Sequence, residues 1–125
     1  MATTEELIAK GIAVGRIAYG VACMTIPRTV MGPAGQRAEG QMTWMARAFG
    51  VRDLVLGTGT FLALQQDPVA ASRWVEVSAV ADALDVANAV VFHKELDRTG
   101  RLGVLTLAVP ATLGGAWAAR KLRTA

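Results

Sequence analysis

Ionisable side chains fall inside stretches of this sequence that are otherwise apolar. Five of them could meet in one interior site: Arg16, Arg52, Asp53, Asp82 and Asp85. At bilayer depth an ionisable group costs at least ~2.5–3.5 kcal/mol, so it persists only where it meets a partner or a watery cavity. Two chemistries suit such groups, namely pairing of opposite charges or the binding and passage of protons by carboxylates. Two bases among three acids predict a buried polar network.

Four apolar segments must position these residues. They span residues 7–26, 44–64, 74–92 and 102–119. Each is close to the ~20 residues that a helix needs to cross a hydrocarbon core of about 30 Å. The chain has 125 residues, of which 53% are hydrophobic and 18% charged. We therefore expect a single all-α domain over residues 1–125, a four-helix transmembrane bundle with small-residue packing faces. The predicted helices cover residues 4–26, 43–65, 68–96 and 101–121.

Local signals mark several ends of these helices. Thr3 begins a Ser/Thr-x-x-Glu capping box, which predicts that the first helix starts near residue 4. Asp67 suits the N-cap of the third helix, because Pro68 follows it at the first helical position. Gly100 is a natural C-terminal stop for that helix. We expect residues 27–41 to form a loop, because Pro, Gly and polar residues are frequent there.

Helical periodicity places the acidic residues of the third helix on one face. That face holds Ser78, Asp82, Asp85, Ala89 and His93. The opposite face is apolar and suits contact with lipid. If Arg16 and Arg52 turn inward, they nearly neutralise Asp53 and the acidic face, with one carboxylate left over. Such a network can fix the register of the helices, or it can form part of a path for protons or a small solute.

Small residues recur along one face of each helix. Gly50 and Gly57 lie on the second helix and Gly114 on the fourth, while Gly11 and Gly15 form a GxxxG pair on the first. Such faces let the backbones of membrane helices approach closely, so we expect helix packing at all five glycines. The GxxxG pair has two interpretations. It either packs inside the monomer or stays outside and binds a second copy or another membrane helix.

The rest of the sequence offers little catalytic or metal-binding chemistry. Cys23 is the single cysteine, so no intrachain disulfide is expected. We see no nucleophile and base pair, metal-ligand spacing or phosphate loop, and we expect no catalytic residue, metal or cofactor. The net charge of +3 and the basic segment 120–123 favour anionic lipid over nucleic acid. Trp44, Trp74 and Trp117 lie at segment ends, where aromatic rings prefer the lipid headgroups.

Two short motifs resemble a known family. They are RAFGVRDLVLG at residues 47–57 and ADALD at residues 81–85. In these motifs the chain resembles small four-helix membrane proteins of an uncharacterised domain family common in actinobacteria. The resemblance covers about the central half of the chain. It implies an integral membrane bundle and brings no activity, substrate or catalytic residue with it.

These observations favour a multi-pass protein of the plasma membrane. We expect a non-enzymatic accessory or scaffold subunit with a buried arginine–aspartate network, which binds the lipid bilayer and assembles as a homo-oligomer or within a larger membrane assembly. The alternative is a small proton-coupled carrier or permease that uses Asp82 and Asp85. A second alternative is a soluble four-helix bundle. A carrier needs a cavity that water can reach around the acids, whereas a scaffold buries them in direct pairs.

Overall fold

The structure, a computed structural model, describes residues 2–31, 40–96 and 98–124. These residues are almost entirely helical. The helices are α1 (Thr4–Thr25), α2 (Pro27–Val30), α3 (Gly40–Gln66), α4 (Pro68–Val91) and α5 (Arg98–Arg123), with a short 3₁₀ helix at His93–Glu95. The predicted all-α fold is therefore confirmed.

The predicted starts of two helices are present with their caps. The hydroxyl of Thr3 accepts a hydrogen bond from the backbone N–H of Glu6 at 3.3 Å, and α1 begins at the next residue, Thr4. The carboxylate of Asp67 accepts one from the N–H of Val69 at 3.0 Å. These bonds satisfy backbone donors that the first turn of a helix leaves free.

Two connections differ from the predicted boundaries. The segment predicted as the loop 27–41 contains the short helix α2, which Pro27 begins at the first helical position, and α3 already starts at Gly40. Residues 32–39 of that segment lie outside the described residues. The third long helix ends at Val91 and not at residue 96, and the 3₁₀ helix follows it. Gly100 lies in the first turn of α5 and does not terminate the helix before it.

The four long helices pack in the order α1, α3, α4, α5, with α5 returning to α1. An apolar cluster joins the beginning of α1 to the end of α3, the beginning of α4 and the end of α5. Its buried members are Ala9, Leu64, Ala71, Val75, Ala118, Ala119 and Leu122. Successive long helices therefore run in opposite directions, as short connections between them require.

The backbones of α1 and α3 approach each other closely. A Cβ added at Gly50 would lie 2.6 Å from the carbonyl oxygen of Gly20, and one at Gly57 would lie 2.7 Å from that of Ala13. Real side chains do not tolerate such distances, so these two glycines are required by the packing. Gly50 and Gly57 therefore lie at the contact between α1 and α3.

Two of the long helices are apolar and long enough to cross a membrane. They are Thr4–Thr25, which is α1, and Gly100–Arg123, which is most of α5. The helices α3 and α4 lie between them in the sequence and carry four of the five charged residues singled out above.

Candidate functional site

The structure brings the five predicted residues together in one ion-pair network. Arg16 comes from α1, Arg52 and Asp53 from α3, and Asp82 and Asp85 from α4. The pairs follow the order Asp82, Arg16, Asp53, Arg52, Asp85, so that each base lies between two acids. We call these five residues the network.

Arg16 is the buried centre of the network. Its Nη1 lies 3.0 Å from Oδ1 of Asp53, and its Nη2 donates to Oδ2 of Asp82. The same Nη2 lies 3.1 Å from the backbone oxygen of Ser78. The guanidinium thus reaches across the helices from α1 to α4. Its side chain is 7% exposed, and those of Asp53 and Asp82 are 10% and 8% exposed.

The neighbours of Arg16 on α1 explain how the guanidinium is accommodated. The buried face of this helix consists of Ala9, Ala13, Arg16, Gly20 and Cys23. These residues are spaced by three or four, so they share one side of the helix. All except Arg16 are small, which leaves space for the long arginine side chain between α3 and α4.

Arg52 forms the more exposed end of the network. Its Nη1 and Nη2 lie 3.1 and 2.8 Å from the two carboxylate oxygens of Asp85, a bidentate pair. Nη2 also lies 3.3 Å from Oδ1 of Asp53. The guanidinium carbon is 5.1 Å from the ring centroid of Phe49, a cation–π distance. The side chain of Arg52 is 33% exposed, so this end is partly open while the Arg16 end is closed.

The buried end of the network lies at half the length of its helices. Arg16, Asp53 and Asp82 are each within three residues of the midpoint of α1, α3 or α4. At a rise of ~1.5 Å per residue this is within about 4 Å of the midpoint along the helix axis. Two arginines face three aspartates, so the formal charge of the network is −1 when all five groups are ionised.

A small cavity adjoins the buried end of the network. Its volume is about 10 Å³, close to that of one water-sized sphere. Its polar lining comes from Arg16, Thr60, Ser78 and Asp82, and the rest is mainly Ala, Val, Ile and Gly. Two residues of this lining, Arg16 and Ser78, each have a buried polar atom, Nε and Oγ respectively, without a hydrogen-bond partner among the described residues.

Other ionisable residues from the sequence lie apart from the network. His93 is exposed, and its Nδ1 lies 3.1 Å from the backbone oxygen of Val90. Glu76 pairs with Arg123 at the surface, where both side chains are half exposed. Cys23 is buried. Within the described ranges, no group of three His, Cys, Asp or Glu residues is placed to hold a metal ion.

Gly11 and Gly15 do not face another helix in the part of the chain that the structure describes. Both residues are exposed, and a Cβ added at either would meet nothing within 4 Å. The physical reason is rotation of α1: the helix turns Arg16 inward, and the GxxxG pair lies about 100–140° away around the axis. Gly114 does face α1, since an added Cβ would lie 3.6 Å from Ile12.

Three other small residues make helix contacts that the sequence argument missed. Gly20 faces Gly50, Gly59 lies against the ring of Trp74, and Gly115 packs on α4. For Gly20 a signal was available, since it lies four residues after Arg16 and so shares its inward face. For Gly59 and Gly115 we find no comparable signal, because the contact depends on how α4 is placed.

Searches of protein-family models, curated proteins and solved structures each find no match to this chain. The resemblance to the actinobacterial four-helix family therefore stays a prediction based on the two short motifs. The structure itself defines an all-helical protein with two candidate membrane spans and buried salt bridges.

Proposed function

We propose that this chain is a multi-pass protein of the plasma membrane, whose four long helices cross the bilayer as a four-helix bundle. The observation that carries the proposal is the distribution of side-chain size. Many large apolar side chains are exposed on the outer faces of the helices, whereas the buried positions hold mainly small residues together with Arg16, Asp53 and Asp82. Water-soluble bundles have the reverse arrangement, because burial of large apolar side chains is what drives their folding.

The buried positions show this inversion clearly. Among the described residues, Leu122 is the one large side chain that is less than 2% exposed. Most other buried apolar positions hold alanine. Outward-facing Leu, Val, Phe and Trp occur on all four long helices, for example Leu7, Val55, Leu84 and Leu113, each more than half exposed. Lipid can cover such faces, and small residues then allow close helix packing inside.

The charges on α3 and α4 are compatible with this location because they are paired. Arg16, Asp53 and Asp82 meet one another near the helix midpoints and face no lipid. A charge at this depth is tolerated when it faces the interior and a partner of opposite sign. Two of the four helices are apolar enough to cross by themselves, and the other two would depend on these pairs.

We further propose that the protein acts as a non-enzymatic accessory or scaffold subunit. The acids lie in direct ion pairs, and the adjoining cavity has room for about one water, so it is too small for a substrate. A network of this kind specifies one arrangement of helices. The exposed GxxxG pair, Gly11 and Gly15, offers a face that a second copy or a larger membrane assembly can approach closely.

A proton-coupled carrier is the second candidate. Three acids against two bases leave one excess negative charge, and the cavity adjoins Asp82. Proteoliposomes loaded with a pH-sensitive dye would detect proton movement under an imposed pH gradient. A flux that Asp82→Asn abolishes would favour the carrier over the scaffold. If liposomes with the wild type, liposomes with Asp82→Asn and empty liposomes all show the same proton leak, the carrier is excluded.

Membrane fractionation tests the location. We expect the full chain to sediment with membranes and to stay in the pellet after extraction at alkaline pH with carbonate, while a peripheral marker protein is released. Detergent should then solubilise it. A chain recovered from the soluble fraction without detergent would instead be a soluble four-helix bundle, and the membrane proposal would be wrong.

Crosslinking tests the assembly surface. A double change of Gly11 and Gly15 to Leu places bulk on the outer face of α1, where no intramolecular contact exists. We expect it to abolish a crosslinked oligomer and leave the melting temperature of the monomer nearly unchanged. Gly103→Leu is the matched control, because Gly103 is also in open space but lies on α5. An oligomer that persists in the double variant would exclude this face.

A further inference from the structure

We propose that the cavity beside Arg16 and Ser78 binds one water molecule, which completes the hydrogen bonding of the network. Nothing in the scaffold proposal requires this ligand, so the inference goes beyond it. It rests on two unpartnered polar atoms whose residues line one cavity of suitable size.

The unpartnered atoms are a donor and a hydroxyl. The Nε–H of Arg16 is buried without an acceptor, although the other guanidinium nitrogens reach Asp53 and Asp82. The hydroxyl of Ser78 is also buried without a partner, and Ser78 as a whole is 3% exposed. Buried polar groups in folded proteins nearly always have a partner, either from the protein or from an ordered water. Two such atoms, on residues that line the same cavity, indicate a bound ligand.

The cavity supplies further partners. Thr60 lines it, and the hydroxyl of Thr60 donates its proton to the backbone oxygen of Leu56 at 2.7 Å, which leaves lone pairs free to accept. Asp82 also lines it and is an acceptor. A water could accept from Nε–H of Arg16, exchange a hydrogen bond with Ser78 and donate to Thr60 or Asp82. Buried waters typically have about three such partners.

Size and charge exclude other ligands. The volume of about 10 Å³ suits one water and no larger molecule. An anion would meet the carboxylate of Asp82, whereas a cation would meet the guanidinium of Arg16. A neutral molecule that both donates and accepts suits a lining of mixed character. The small side chains around the cavity, such as Ala13 and Ala79, leave this space unfilled.

Nuclear magnetic resonance of the whole ¹⁵N-labelled protein in detergent micelles gives a direct test. We expect a cross-peak between the Nε–H proton of Arg16 and water in a water-selective NOE experiment. Its sign should be that of a water held for nanoseconds or longer. Comparison with Ser78→Ala removes any contribution relayed through the exchanging hydroxyl proton. A folded protein whose Arg16 Nε–H shows no water cross-peak would overturn the proposal.

Thermal unfolding of Ser78→Ala provides a second test. With water bound, the variant loses a hydrogen bond, and the melting temperature should fall by about 3–6 °C for a domain of this length. With an empty cavity, removal of an unpartnered hydroxyl should leave the melting temperature unchanged or raise it. Ser72→Ala, at another buried serine of α4 outside the cavity lining, measures the general effect of the change. A Ser78→Ala protein as stable as the wild type would contradict the proposal.

The cross-peak and the melting temperature both depend on the folded helices and not on whether the protein lies in a membrane in the cell. Failure of the water proposal would leave the fractionation result untouched. Release of the chain by carbonate, in turn, would leave the water cross-peak intact.

Discussion

Replacement of Arg16 by methionine is the sharpest test of the network. Methionine is unbranched and suits a helix, so the change removes the charge and the hydrogen bonds and keeps the aliphatic part of the side chain. Asp82 loses the guanidinium that pairs with it, and Asp53 keeps its contact with Arg52. The formal charge of the network becomes −2 in place of −1, and two carboxylates remain in a nearly closed interior.

The burial of the pairs sets the expected magnitude. The side chains of Arg16, Asp53 and Asp82 are all at most 10% exposed. Loss of one partner from a buried pair costs ~3–5 kcal/mol, because the remaining charge is desolvated and unpaired. Arg52→Met should cost about 1 kcal/mol, since its pair with Asp85 is about one-third exposed and screened by solvent. Removal of Arg16 should therefore be clearly the more damaging of the two arginine changes.

Charge balance predicts a smaller effect when the acid of the pair is replaced and the arginine is kept. Asp82→Asn leaves two bases and two acids, and the amide oxygen can still accept from Arg16. This variant should lose less stability than Arg16→Met. Combination of both changes should cost less than the sum of the single changes, by roughly 1–3 kcal/mol, because the pair is in contact. The cycle of Arg52→Met with Asp82→Asn should show smaller coupling, because Arg52 pairs with Asp53 and Asp85.

Equilibrium unfolding in mixed micelles, followed by circular dichroism, would supply the four free energies of each cycle. Size-exclusion chromatography of every variant would verify that it remains folded at the start of the titration. An Arg16→Met variant within 1 kcal/mol of the wild type would refute the argument from burial. Additive effects of Arg16→Met and Asp82→Asn would refute the contact itself.

Two further predictions follow from the helix contacts. Gly57→Ala should destabilise the protein by about 1–3 kcal/mol, because the new Cβ would lie 2.7 Å from the backbone oxygen of Ala13. The same change at Gly103, which has open space, should be neutral or stabilising, and the denaturation midpoints of the two variants test the difference. Glu76→Gln should alter stability by less than about 1 kcal/mol at any salt concentration, because its pair with Arg123 is half exposed. A loss of several kcal/mol there would show that the pair is more buried than in this structure.

The sequence was sufficient to predict which side of α3 and of α4 points inward. On α3 the predicted packing residues Gly50 and Gly57 are buried, and Asp53 is buried on the same face. The reason is local: side chains three or four residues apart share a side of a helix, so a polar face and an apolar face can be separated by periodicity alone. The cost of an unpaired charge then requires the polar face to point inward. The helix starts at Thr4 and Pro68 depend on equally local capping.

The sequence was not sufficient to predict how α1 is rotated about its own axis. Gly15 and Arg16 are adjacent, so they point about 100° apart around the helix axis. When one of them faces the other helices, the other is therefore turned away from them. Periodicity allowed the GxxxG pair to lie either inside the monomer or outside it, and the structure buries the Arg16 face and leaves the pair exposed. An arginine with two acidic partners across the helices outweighs a stripe of glycines, because the charge has no other place to be neutralised.

Helix composition, capping and periodicity were sufficient for the all-helical fold, the starts of α1 and α4, and the inward position of Asp53 and Asp82. The tertiary structure decided which arginine meets which aspartate. It also decided that Gly11 and Gly15 face outward, and that a cavity remains between Arg16 and Ser78. These features depend on the rotation and height of one helix against another. Periodicity describes a single helix, and only the packing of side chains from different helices fixes their relative placement.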